Sequence, residues 1–273
     1  VKRVFKILET DFKILNRGKI ILKSIKGSIL FKNVKFSYKK QEEIIRGITL
    51  KINPGEKIAI IGSTGAGKST IINLLSRFYE IDSGDIYIDE FSIKDIELIS
   101  LRNNIGVVLQ EVFLYADSIY NNITLFDKSF KKSEVINSAK KIGIHDFIMT
   151  LPNGYDFNIQ ERGQMLSAGQ RQLIAFLRLY IRNPNILILD EATSSVDSYS
   201  EEIIQNATKK LTKGKTSIII AHRLDTIKKA DKIVVLERGK IIEQGTHSEL
   251  LKIKNSFYNK LNKKNSIDLA EGF

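Results

Sequence analysis

The sequence predicts an α/β fold: a mostly parallel sheet, an antiparallel β layer beside it, and a helical subdomain at about residues 113–182. Three observations predict it. Apolar runs of strand length recur at Lys57–Ile61, Ile186–Leu189, Ser217–Ile220 and Lys232–Leu236, and helical segments separate them; that alternation makes parallel sheets. Apolar and polar residues alternate with period two in ILFKNVKFSY and IIRGITLKI, the mark of half-buried strands. A glycine-rich loop joins the first apolar run to a helix.

The elements follow in order. Residues 1–26 suggest a lead-in helix and a Lys-rich connector that ends near Gly27. The two alternating strands come next, and GDIYID at 84–89 suits a third of the same layer. Pro54 and Gly55 signal a turn before the strand at Lys57–Ile61, whose unbroken apolar character suits burial on both faces. In the helix after the loop, Ile71, Leu74, Leu75 and Phe78 share one face. Residues 113–165 show helical periodicity with loops, including a polar turn at Pro152, Asn153 and Gly154. Another helix begins near Ala168 and stops before Pro184, and the stretch from about Ser248 reads as a helix fraying into a polar tail. No internal repeat is evident.

Composition narrows the function classes. With 273 residues, 42% of them hydrophobic, the chain can fill one domain or two closely packed subdomains. It has no cysteine, which excludes disulfides and thiolate metal sites. No run approaches the roughly 18 apolar residues of a membrane helix, and VKRVFKILETDFKIL, broken by charges, reads as no signal peptide. The net charge of +12, from 43 Lys and Arg against 31 Asp and Glu, raises nucleic acid or an anionic membrane as partners. Because the lysines are scattered among Ile and Asn, ordinary solvated surface is the better reading.

Gly62, Ser63, Thr64, Gly65, Ala66, Gly67, Lys68 and Ser69 match the phosphate-loop pattern G-x-x-x-x-G-K-[ST] in full, with Thr70 next in the helix. The pattern stands between a buried strand and a helix, where its mechanism requires it. Glycines let the loop curl so that backbone N–H groups face phosphate oxygens, and the helix N-terminus adds partial positive charge. Lys68 then reaches the β- and γ-phosphates and the Ser69 hydroxyl ligates Mg²⁺. A turn that merely connects strand to helix is the bland alternative. Alone, the motif implies only a bound nucleoside triphosphate.

Ile186–Leu189 leads into Asp190 and Glu191. A residue at the C-terminal end of a parallel strand faces the ligand crevice, so Asp190 suits Mg²⁺, through water, and Glu191 suits polarising an attacking water. Adjacent acids equally suit a helix start.

Leu166, Ser167, Ala168, Gly169 and Gln170 open the next helix, and here the sequence resembles the ABC ATPase family, whose hallmark is LSGGQ. The family's elements occur in order: the aromatic Tyr38, the phosphate loop, Gln110 in VVLQE, LSAGQ, the strand ending at Asp190, Glu191, the loop Ser194–Asp197, and His222 in AHRL. The resemblance covers residues 28–255, with 1–27 as a linker from a missing membrane domain and 256–273 as a C-terminal helix and tail.

That resemblance implies a P-loop NTPase core of the ABC ATPase fold, binding ATP and Mg²⁺. It implies that Tyr38 stacks on adenine with Ile44 beside it, that Gln110 touches Mg²⁺ and the attacking water, and that Glu191 is the base. His222 holds the γ-phosphate, and Asp197 couples two sites. Ser167, Gly169 and Gln170 face the γ-phosphate held by a second ATPase domain, identical or related, so that two Mg-ATP are sandwiched in a head-to-tail dimer. His145 and His247 carry no catalytic role.

Two positions depart from the family pattern. Ala168 replaces the first glycine of the GG pair, a change expected to be tolerated. Gln160 replaces the first glycine of the exporter segment GERG before LSAGQ. That near-match, the run VLQEVFLYADSIYNNI, and the resemblance of VKRVFKILET to the end of a membrane-domain helix favour an exporter, with its transmembrane domain in the same polypeptide, at the cytoplasmic face of the cell membrane. The alternatives are a soluble ABC ATPase acting on nucleic acid or the ribosome, and an importer's ATPase subunit. Only 97 residues separate Lys68 from Leu166, too few for the long coiled-coil insertion of the nucleic-acid enzymes, and no nucleic-acid partner is expected.

Overall fold

The structure, a computed structural model, describes residues 18–39, 42–160, 163, 165–190, 198–221, 224–254 and 256–261. Two sheets organise it. One is antiparallel, in the order β2 (Glu43–Ile52), β1 (Ile29–Ser37), β4 (Ser83–Ile88), β5 (Phe91–Ser92). The other runs β10 (Lys240–Gly245), β9 (Lys232–Glu237), β3 (Lys57–Gly62), β8 (Thr216–Ile220), β7 (Ile186–Asp190), β6 (Ile105–Val108). Strands β9 to β6 are parallel, and β10 returns antiparallel to β9.

The period-two geometry of strands divides the interior into two cores. Ile58 and Ile60 of β3 face the antiparallel layer, where Phe31, Ile48, Leu50 and Ile86 meet Ile71, Leu74 and Leu75 of helix α1 (Lys68–Leu75). Ala59 and Ile61 point the other way, into a core shared with helices α3 (Ile119–Thr124), α4 (Lys132–Ile142), α5 (His145–Thr150), α6 (Ala168–Arg182) and α7 (Ser198–Thr212). Helix α2 (Leu98–Asn104) precedes β6, while α8 (Leu224–Lys228) follows β8 and α9 (His247–Lys252) follows β10. Strands β7 and β8 are buried throughout, as their apolar runs require.

The alternating segments and the apolar runs form strands where expected, and the helix from Ala168 ends at Arg182, two residues before Pro184. Strands β6 and β10 were not anticipated. IGVV is too short to separate from a buried helical turn by periodicity, and β10 alternates exposed and half-buried residues. Phe78 departs from its expected helical face. Helix α1 stops at Leu75, Arg77 takes the left-handed φ of 50°, and Phe78 is left 45% exposed beneath the Arg102 guanidinium, 4.9 Å from its ring centre.

The chain ahead of Ser28 is also tied to the antiparallel layer. The backbone N–H groups of Lys26, Gly27 and Ser28 all donate to the Asp89 carboxylate, Leu22 and Ile25 are buried, and Ile20 bridges to Ile96. The expected lead-in helix falls on residues outside those described, apart from Gly18 onward. Among the described residues no helix is long and apolar enough to cross a membrane.

Candidate nucleotide site

The loop between β3 and α1 follows from two glycines. Gly62 closes β3 with φ 154°, and a Cβ there would stand 2.2 Å from the Leu236 carbonyl oxygen of β9. Gly67 caps α1 in the left-handed region, φ 105°, and a Cβ would reach within 2.8 Å of Ile45 Cδ1. Only glycine fits either place without displacement. The turn between β9 and β10 braces the loop from outside: Gly239 N donates to the Ala66 carbonyl at 3.1 Å, and Arg46 N donates to Gly239 O at 2.9 Å.

Lys68 folds back inside this loop. Its Nζ donates to the carbonyls of Gly62 (2.8 Å) and Ser63 (3.0 Å), and the residue is 9% exposed. Burial pulls its ammonium below the ordinary lysine value, while the charge of Asp190 acts in the opposite direction. Asp190 is itself 8% exposed, at the last position of β7, and pairs across to Ile220 of β8. On the other side Leu189 pairs with Val108 of β6, so Gln110, two residues on, reaches the same end of the sheet.

A cleft of about 350 Å³ gathers these parts. Its lining includes Tyr38, Ile44, Thr64, Gly65, Gly67, Lys68, Ser69, Thr70, Gln110 and Asp190, with Ile220 added. That volume lies in the range of small-molecule sites, at the C-terminal edge of a parallel sheet where such sites form. The structure thus brings most of the expected site residues together; Gly62, Ser63 and Ala66 belong to the same loop. Glu191, Asp197 and His222 lie outside the described residues, although the strands before them end at Asp190 and Ile220.

Ser167, Gly169 and Gln170 stand elsewhere, at the start of α6, and none of them lines the cleft. Two of their side chains form a capping box: Ser167 Oγ accepts from Gln170 N at 3.2 Å, and Gln170 Oε1 accepts from Ser167 N at 3.0 Å. Ser167 and Ala168 are exposed and Gly169 is buried, so the helix end presents a small, open surface.

Oxygen donors of the kind Mg²⁺ takes meet in the cleft: the Ser69 hydroxyl, the Asp190 carboxylate and the Gln110 amide. Among the described residues no group of three His, Asp or Glu side chains is placed to hold a metal. The donor set therefore fits an ion that keeps water and phosphate oxygens in its shell, as Mg²⁺ does.

One residue of this region escaped the sequence reading. Tyr79 packs edge-on to Tyr38, ring centres 5.0 Å apart and planes at 87°. No periodic signal marks it, because the left-handed turn at Arg77 is what carries it there.

Comparison with known proteins shows the family. Residues 45–194 match the ABC transporter family. The chain is 47% identical over 234 residues to "Putative multidrug export ATP-binding/permease protein YgaD" of Bacillus subtilis (strain 168), covering 85% of this chain and 40% of that protein. It is 47% identical over 250 residues to a putative multidrug export ATP-binding/permease protein of Staphylococcus aureus (strain NCTC 8325), covering 91% of this chain and 43% of that one. The chain therefore spans about two fifths of the length of these relatives. Among solved structures, a bacterial Atm1-family ABC exporter with ATP bound superposes with a TM-score of 0.87 at 36% identity, over 97% of this chain and 46% of that one. With the match to the family running from β2 past the end of β7, the chain belongs to the ABC transporter family and carries its ATPase domain.

Proposed function

We propose that this chain is the ATP-hydrolysing motor domain of an exporter, working in a pair of ATPase domains at the cytoplasmic face of the cell membrane. The observation that carries this is the single cleft holding Tyr38, Lys68, Ser69, Gln110 and Asp190 at the C-terminal edge of the parallel sheet. Adenine rests against Tyr38 and Ile44. The triphosphate follows the loop from Gly62 to Thr70, and Lys68 moves its ammonium from the loop carbonyls to the β- and γ-phosphates.

Mg²⁺ would be held by Ser69, by Asp190 through water and by Gln110, and when bound it offsets negative charge on the phosphate oxygens. Glu191, the residue after β7, accepts a proton from water. The water oxygen bonds to the γ-phosphorus, the bond from that phosphorus to the bridging oxygen breaks, and ADP and phosphate leave. His222, two residues beyond β8, holds the γ-phosphate.

Ser167, Gly169 and Gln170 complete the site of a second ATPase domain, identical or related, as a twofold arrangement allows. Asp197 links the two sites. A place for these residues away from the chain's own cleft supports that reading. ATP then closes the pair, and product release reopens it. Residues 1–27 connect to a transmembrane domain of the same polypeptide, and residues 28–255 form the ATPase domain with its helical subdomain at about 113–182. The names and lengths of the relatives, ATP-binding/permease proteins more than twice as long as this chain, support a transmembrane domain in the same polypeptide.

The test is Mg²⁺-dependent ATP hydrolysis against protein concentration, with Glu191→Gln alongside. A rate per molecule that rises with concentration and vanishes in the variant is expected. A flat rate in protein that stays monomeric would overturn the shared site.

A further inference from the structure

Tyr38 lies just past β1, in a connection between strands, yet its ring is held from three sides. Its hydroxyl donates to Thr70 Oγ1 at 3.2 Å and accepts from Asn73 Nδ2 at 3.2 Å. Both partners belong to α1, the helix that also carries Lys68 and Ser69. Phe36 meets the ring at 4.8 Å with planes at 86°, and Tyr79 meets it at 5.0 Å with planes at 87°. Phe36 and Tyr79 also touch each other, centres 5.7 Å apart, so the three rings form one cluster. Phe36 is buried, whereas Tyr38 and Tyr79 are nearly half exposed.

A loop aromatic that must offer one face to a base gains from fixed orientation, because ordering it on binding costs affinity. Perpendicular ring contacts fix the plane of the Tyr38 ring. The hydroxyl bonds fix its distance from α1, and so from the loop that grips phosphate. We propose that Asn73 and Tyr79 are positioning residues for nucleotide binding: they lock the Tyr38 ring to the helix of the phosphate loop, so that base platform and phosphate cradle form one rigid unit. Neither residue lines the cleft; each acts through Tyr38. The inference rests on the reading of Tyr38 as the adenine platform.

The experiment compares equilibrium binding of ATP with that of inorganic tripolyphosphate, which occupies the phosphate loop but has no base. Asn73→Ala, Tyr79→Ala and Tyr38→Phe are each expected to weaken ATP binding about three- to tenfold, the size of one lost hydrogen bond or ring contact. Tripolyphosphate affinity stays at the parent value in all three. Tyr38→Ala weakens ATP binding further and likewise spares tripolyphosphate. If Tyr38→Ala weakens ATP binding while the other three variants match the parent, the ring needs no lock and the inference is overturned. If the variants weaken tripolyphosphate as much as ATP, the loop itself has been disturbed and the positioning role also fails. If Tyr38→Ala leaves ATP binding unchanged, the adenine platform is elsewhere, and both the reading and the inference built on it fall.

Discussion

The Arg178 guanidinium donates to the side-chain oxygen of Asn122 at 3.2 Å, which ties α6, the helix beginning with LSAGQ, to the segment that follows Gln110. The same guanidinium donates to the Phe113 carbonyl at 3.0 Å, and Arg182, one turn on, donates to the Thr124 carbonyl at 3.0 Å. Asn122 is fully buried. Its Oδ1 also accepts from Tyr115 N at 2.8 Å, and its Nδ2 donates to the carbonyls of Tyr115 and Ser118, each at 3.0 Å. The partners shown for Arg178 are carbonyl and amide oxygens, and burial draws its guanidinium down to about 10, which still leaves it charged at neutral pH.

Truncating Arg178 strands those acceptors. Arg178→Ala is expected to cost about 2–4 kcal/mol, in the range for losing buried hydrogen bonds to a charged group. Arg178→Lys should recover less than half, because one ammonium cannot reach both the Phe113 carbonyl and the Asn122 oxygens in the guanidinium's planar geometry. Urea unfolding measures both. Full stability in Arg178→Ala would mean that the hydrogen-bonded junction contributes nothing to the fold.

Gly62 offers a sharper steric test. With 2.2 Å between its notional Cβ and the Leu236 carbonyl, the obstacle is backbone on both sides. Gly62→Ala must therefore separate β3 from β9 or distort the loop, at about 2–4 kcal/mol. Thermal melting should register that loss together with weaker ATP binding. A melting temperature equal to the parent's would show that the two strands part there without cost.

Lys68 and Asp190 are coupled, and the coupling has a sign. Burial lowers the lysine's value and the Asp190 charge raises it, so removing that charge lowers it further. In Asp190→Asn, more of the Lys68 amine is neutral at pH 8 to 9, and it reacts faster with acetic anhydride, as mass spectrometry of the labelled peptide reads. Folding lowers this group's proton affinity, so the folded chain binds fewer protons through it than the unfolded chain. Its contribution to stability therefore rises as pH climbs through the lowered value toward the ordinary 10.5. Slower labelling in Asp190→Asn would contradict the coupling.

How much of this was legible beforehand depends on which forces act locally. The phosphate loop, the strand ending at Asp190 and the helix start near Ala168 are written in consecutive residues, so pattern alone places them. Gln110 and Tyr38 share no pattern with the loop. The family resemblance linked them to it, and the register of β6 against β7 and the tether to Thr70 bring them there. Tyr79 stayed hidden because one left-handed residue, Arg77, redirects the chain after α1. The Arg178 junction stayed hidden for another reason: its acceptors are mostly backbone carbonyls, which have no sequence signature.

Ser167 separates two roles that one residue can hold. As the cap of α6 its Oγ takes the Gln170 N–H, so Ser167→Ala should lower stability by about 1 kcal/mol. In the proposed dimer the same hydroxyl also faces the partner's γ-phosphate, so the alanine variant should hydrolyse ATP more slowly as well. Ser167→Asp divides the two effects. Aspartate caps as well as serine, and its charge suits a helix N-terminus, so stability should return to near the parent value. Its carboxylate would repel a phosphate, so the hydrolysis rate should fall below that of the alanine variant. Denaturant unfolding gives the first quantity and phosphate release gives the second. Recovery of both in Ser167→Asp would confine this residue to capping, and the second phosphate contact would have to come from another part of the helix.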